Sequence, residues 1–130
     1  MIQLRYIPIR VCSPRKAPIH RGYLRDLYLD RMLQVFFKAF EGTGYALLSR
    51  KLGICTSDRQ YKNYGDYEMI NGDLLDLLVA QAPYYQDTVF LYWNHRPLTH
   101  SKWVKMLADA GFNVIEHRTL AEIKEAIVAR

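Results

Sequence analysis

Apolar positions along this chain change their spacing several times, and each change marks an element. Residues 3–12 (QLRYIPIRVC) alternate loosely and are rich in strand-forming residues, which predicts a first strand. Pro8 donates no ladder hydrogen bond, so it predicts either a bulge or a strand that begins after it. Residues 13–21 read as a basic, proline-punctuated loop. From Gly22 to Phe40 the period becomes helical. Leu24, Leu27 and Tyr28, Met32, Val35 and Phe36, Ala39 and Phe40 recur on one face of a long amphipathic helix. Gly42 is the expected left-handed residue at its end.

Tyr45–Ser49 (YALLS) is a short unbroken apolar run of the kind a buried strand shows. Residues 50–67 are polar, charged and Tyr-rich, a segment too long for an ordinary connection. Asn71 is a candidate cap for a helix over 72–82, which Pro83 closes. Thr88–Trp93 (TVFLYW) is the clearest strand in the chain. Residues 94–97 form a loop, and a helix follows over 99–110 with Trp103, Leu107 and Ala110 inward and Gly111 as its terminator. Residues 113–117 make a fourth strand. Thr119 and Glu122 read as a capping box opening a last helix with Leu120, Ile123 and Ile127 on one face.

Strands alternating with helices imply an α/β fold, a three-layer sandwich in which a mostly parallel four-stranded sheet has helices on both faces. At 130 residues the chain fits a single domain, residues 1–130. Right-handed crossovers place the carboxyl ends of the parallel strands on one edge, and ligands of such sheets sit there, near the switch in strand order. Three loops should meet at that edge: residues 12–21, 50–67 and 94–97.

Charge sharpens the choice of edge. The formal net charge is +5, yet residues 1–62 hold 12 Lys/Arg against 4 Asp/Glu, and residues 63–130 hold 6 against 9. The three loops supply Arg15, Lys16, His20, Arg21, Arg50, Lys51, Asp58, Arg59, Lys62, Asn94, His95 and Arg96, mostly cations with one carboxylate. A phosphate or a nucleic-acid backbone is the natural complement. Cys12 and Ser13 place a small thiol and a hydroxyl at the same edge. Cys12 reads as a ligand-lining or structural thiol, with a nucleophilic role as the sharper alternative if a cation lowers its pKa. Tyr61, Tyr64 and Tyr67, spaced by three among cations, suit either base stacking or packing of the long loop onto the sheet. Asp26 and Asp30 read as a solvated face or as ion-pair partners.

Other classes are excluded or unsupported. No apolar run reaches the length of a transmembrane helix, and the N-terminus is interrupted by Arg5 and Arg10, unlike a secretory signal. A cytoplasmic setting and free thiols at Cys12 and Cys55 are therefore expected. No zinc spacing, Walker loop, dinucleotide fingerprint or nucleophile elbow occurs, so no metal and no cofactor is expected.

Several motifs carry a resemblance. Cys12-Ser13-x-Arg15-Lys16, Asp26-Leu27-Tyr28, Leu48-Ser49-x-Lys51-x-Gly53, Asp58 and the Tyr-Gly-Asp at 64–66 resemble a widespread family of small α/β proteins of bacteria, phages and archaea whose activity is not settled. That family is distantly similar to the uracil-DNA-glycosylase-like domain attached to archaeal tRNA-guanine transglycosylases. The resemblance implies a nucleotide or a nucleic-acid base as ligand, with possible N-glycosidic chemistry. It would give Arg15, Lys16 and Lys51 the phosphate, Ser49 and Tyr64 the sugar or base, Asp58 or Asp66 the acid–base role, and Cys12 or His95 an auxiliary one. Asn94, His95, Arg96 and Pro97 resemble the His-Pro loop of glycosylases. The water-handling Asp or Asn that glycosylases carry after the first strand has no counterpart, since the chain reads Cys12-Ser13-Pro14 there. Two rivals stand beside an enzyme: a non-catalytic nucleotide- or nucleic-acid-binding accessory or phage-type regulator, and a domain whose basic half docks an acidic protein. Oligomeric state is not legible.

Overall fold

The computed structural model describes residues 3–13, 17–63 and 71–129, the side chains of 71 and 97–99 excepted. Seven strands follow in chain order: β1 (Arg5–Val11), β2 (Arg21–Tyr23), β3 (Ala46–Ser49), β4 (Gly53–Thr56), β5 (Gln60–Lys62), β6 (Thr88–Trp93) and β7 (Asn113–His117). The helices are α1 (Leu24–Leu27), α2 (Arg31–Phe40), α3 (Asn71–Gln81), α4 (Pro97–Asp109) and α5 (Leu120–Ala129), with a 3-10 turn over Ala82–Tyr85. The main sheet has the order β4-β3-β1-β6-β7, and β2 and β5 form a separate antiparallel ribbon. Every pairing in the main sheet is parallel except that of β3 with β4.

Period-two alternation sends successive strand residues to opposite faces. Ile9, Val11, Ala46, Leu48, Phe90 and Tyr92 meet Leu74 and Leu78 of α3 and Trp103 and Leu107 of α4 on one face. Leu47, Val89, Leu91 and Trp93 meet Leu33, Phe36, Phe37 and Phe40 of α2, Leu24 and Leu27 of α1, and Ile123 of α5 on the other. Both faces are covered, as expected of a parallel sheet. Phe36 anchors the second layer. It is fully buried and stacks on Trp93 with ring centroids 6.1 Å apart and planes 7° apart. Burial of a side chain this size is worth about 1.5–3 kcal/mol.

The sheet has five strands, not four, because part of the polar 50–67 segment folds back. Ser49 closes the reversal, its hydroxyl accepting from the amides of Lys51 (3.2 Å) and Leu52 (3.1 Å). Gly53 then adopts φ +73°, a left-handed conformation that favours glycine, and β4 runs antiparallel to β3. The short run Ile54-Cys55 is buried, but its polar neighbours mask it in the sequence.

The helix expected from residue 22 is also interrupted. Residues 21–23 join the ribbon, and Tyr28–Asp30 are not helical. Asp30 caps α2 by accepting from the amides of Met32 (2.9 Å) and Leu33 (3.1 Å), so it has a helix-capping role that its spacing did not suggest. Gln34 donates to the Tyr28 carbonyl and fixes the break. Asp26 does lie 4.0 Å from Arg25 Nε, as an exposed pair. Gly44 (φ +81°), not Gly42, is the left-handed residue after α2, and its amide donates to the Phe40 carbonyl. Pro8 sits inside β1 without a bulge. Only β6 flanks it there, since β3 pairs with Ile9–Val11, so its missing N–H breaks no ladder on the β3 side. Thr119 caps α5 as expected, its hydroxyl accepting from the Glu122 amide (3.1 Å), but the Glu122 carboxylate accepts from that hydroxyl (3.1 Å) and not from the Thr119 amide as in a full capping box.

The outer edge of β4 is covered by side chains. Gln81 accepts from the Ile54 amide (2.9 Å) and donates to the Leu52 carbonyl (3.1 Å), and Tyr61 Oη accepts from the Thr56 amide (2.8 Å). Unpaired edge groups invite another strand, and these three bonds withdraw them. Among the described residues, no helix is long and apolar enough to cross a membrane.

Candidate functional site

The site starts from an anomaly in β1. This central strand is covered on both faces, yet its penultimate residue is Arg10, flanked by the buried Ile9 and Val11. Alternation turns Arg10 toward the α2 face beside Trp93, and its guanidinium carbon lies 4.8 Å from the indole centroid. The residue is 8% exposed. Arginine this buried normally meets a carboxylate. Here its described hydrogen bond runs from Nη1 to Nδ1 of His95, at 2.7 Å, and Nε is buried without a partner. Burial lowers the Arg10 pKa from its ordinary value, and Arg96 adds to the effect. Among the described residues the carboxylate that acts on it is Asp30, whose oxygen is engaged as the cap of α2.

That hydrogen bond fixes the chemistry of His95. A guanidinium only donates, so His95 Nδ1 accepts and the ring proton sits on Nε2. His95 Nε2 is buried without a partner, as is His100 Nδ1. Burial, followed by the charge of Arg10, pushes both imidazoles down to about pKa 4, so both are neutral at pH 7. The two rings meet edge to face at 5.3 Å, and His95 lies 4.7 Å from Trp93. Asn94, 1% exposed, donates from Nδ2 to Glu116 (2.8 Å), which leaves its buried Oδ1 as an unused acceptor.

Beside these groups a cavity of about 250 Å³ opens at the carboxyl edge of the sheet. It is lined by Arg10, Cys12, Ser13, Arg50, Arg96, His100, Lys102 and Trp103, with Val11 and Leu33. Four of these are permanent cations and none is a carboxylate. Arg50 and Lys102 lie over the Trp103 ring, 5.5 and 4.8 Å from its centroid. The first turns of α4 enter the lining, and no side chain caps that helix, so its positive dipole end adds to the field. Cys12 is half-buried on the Arg10 face near Tyr28, whose phenol is held protonated chiefly by burial. Cys55 lies buried in β4, and both cysteines are free thiols.

The fold gathers Cys12, Ser13, Asn94, His95 and Arg96 at this edge, while Ser49 and Lys51 stand in the reversal after β3. Ser49 is buried and spends its oxygen on two backbone amides. Asp58 is elsewhere. Because β4 runs back across the sheet, Asp58 lines a different cavity of about 410 Å³ with Arg5, Tyr6, Tyr45 and Tyr85, at the amino end of β1. Arg5 and Arg10 are five residues apart along β1, about 16 Å at ~3.3 Å per residue. Asp58 therefore does not share a site with His95. Arg15, Lys16, Tyr64 and Asp66 lie outside the described residues. Sequence reasoning missed Arg10, His100 and Trp103 as site residues. The signal was present for the first, a charge inside a strand that should be buried on both faces.

Among the described residues, no group of three or more His, Cys, Asp or Glu side chains could hold a metal ion. No protein-family model, curated protein or solved structure matches the chain.

Proposed function

We propose that this protein binds a phosphate-bearing ligand, a nucleotide or a nucleic acid, at the carboxyl edge of its sheet between β1, β3 and β6. The observation that carries the reading is Arg10, a guanidinium 8% exposed with no ion-pair partner among the described residues and an unused Nε. Removing such a charge from water costs several kcal/mol. A ligand anion in the adjoining cavity would recover part of that cost through charge-assisted hydrogen bonds. Arg50, Arg96 and Lys102 would add long-range attraction. The motif resemblance points to the same ligand class.

Chemistry on the ligand's base or N-glycosidic bond is a second reading. It is favoured by the neutral His95, with a buried Nε2–H, and by the Cys12 thiol in the cavity wall. The described carboxylate put forward for acid–base work, Asp58, is at the opposite edge, so binding is the better supported of the two. Calorimetric titration with inorganic phosphate, a nucleoside monophosphate and the matching nucleoside tests the reading. The phosphorylated ligands should bind, more weakly by about tenfold or more in Arg50→Gln and Arg96→Gln, and the nucleoside should bind poorly. Equal binding of nucleoside and nucleotide would sink it.

A further inference from the structure

The β2–β5 ribbon is not used by the edge site, and its composition is unusual. Residues 17–25 and 59–63 contain Arg21, Arg25, Arg59 and Lys62 and no carboxylate. Arg21 and Lys62 are directly opposed across the ribbon, as are Tyr23 and Gln60. In an antiparallel pair, opposed residues share a face, so these four side chains project together. The other face, carrying Gly22 and Tyr61, turns inward: Gly22 is buried, and Tyr61 packs on the core. Two like charges directly opposite each other are destabilising. The ribbon is nevertheless held firmly. Asn63 donates from Nδ2 to the carbonyls of Ala17 and Ile19 (both 2.9 Å), and its amide donates to His20 (2.8 Å).

The outward face combines exposed cations with an aromatic ring. Arg21, Arg25, Gln60 and Lys62 are exposed, and Arg25 lies 5.7 Å from the centroid of the half-buried Tyr23 ring. Asp26 touches Arg25 at 4.0 Å, and Arg21 and the flanking Arg59 are exposed beside that pair. We infer that the outward face of the β2–β5 ribbon is a contact surface for a single-stranded nucleic acid, with Arg21 and Lys62 on successive phosphates and Tyr23 stacking on a base. This rests on the proposed phosphate site and extends it from a nucleotide to a polymer. Aromatic–cation interleaving favours single strands, whose bases are free to stack.

Fluorescence anisotropy with a labelled 12-mer of oligo(dT), over a salt series, tests it. The whole protein should bind with a steep salt dependence. The double variant Arg21→Gln/Lys62→Gln should flatten the slope of log K against log salt by about 1.4, at ~0.7 per single-strand phosphate contact. Tyr23→Ala should weaken binding about 5- to 100-fold. Neither change should alter the phosphate-induced rise in melting temperature, which reads the edge site and the integrity of the fold. Phosphate binding without oligonucleotide binding would overturn the ribbon inference and leave the edge site standing. Oligonucleotide affinity unchanged in both variants would overturn it as well, as would poly-glutamate binding with the same affinity and salt slope. A wild-type protein whose melting temperature ignores phosphate would count against the edge site itself.

Discussion

Replacing Arg10 by methionine separates a ligand-binding arginine from a structural one, because the two roles predict opposite signs. Methionine keeps much of the length of the side chain and removes the charge. The native protein buries this guanidinium against Trp93 and His95, with no carboxylate paired to it among the described residues. The retained desolvation penalty of such a cation is several kcal/mol. Against that stand the contact with Trp93, about 1 kcal/mol, and the bond to His95, also about 1 kcal/mol. The difference predicts a net stabilisation of about 1–2 kcal/mol for Arg10→Met, roughly 3–8 °C in melting temperature for a domain of this size. The wild-type protein should also gain about 2.7 kcal/mol from an anion held at one hundred times its dissociation constant. The variant should gain almost none. Thermal denaturation in phosphate and in chloride at matched ionic strength reads both numbers. An Arg10→Met protein destabilised by more than about 2 kcal/mol would mark Arg10 as a structural residue. A variant that keeps the phosphate-induced shift would refute the assignment of the site.

Further outcomes are expected. The pKa of His95 and of His100 falls from 6.5 to about 4 on folding. Between these values the unfolded chain binds more protons, so stability present above pH 6.5 should be lost as pH falls toward 4. A melting temperature that is flat across this window would contradict their burial as neutral rings. Gln81→Leu should cost about 2–4 kcal/mol, because it strands the Ile54 amide and the Leu52 carbonyl, and it should raise self-association through the uncovered β4 edge in sedimentation velocity. Asp30→Ala should cost about 1 kcal/mol by removing the α2 cap, read from chemical denaturation, while Asp58→Ala should leave phosphate affinity unchanged.

The chain's periodicities were enough to give the α/β class and the parallel strands at 45–49, 88–93 and 113–117. Each of these rests on local spacing: unbroken apolar runs for strands buried on both faces, and 3.6-residue recurrence for the helices. The Thr119 cap and the left-handed Gly111 were legible for the same reason, since both are set within a few residues. Asp30 was not, because a mid-pattern aspartate reads as surface charge until the backbone is seen to turn there.

Tertiary structure decided the membership of the site. The 50–67 segment looked like one functional loop, yet Gly53 turns it back as β4, and that antiparallel pass carries Asp58 to the opposite edge from His95. Ser49, read as a ligand contact, closes that turn instead. Arg10 counted only toward a basic half in the sequence. In the fold it is a buried cation with no ion-pair partner among the described residues, because a strand position has an environment only when its neighbours on both sides are known. Local spacing determines which residues form elements. Which side chains share a cavity depends on strand order and register, and those are set by contacts between residues far apart in the chain.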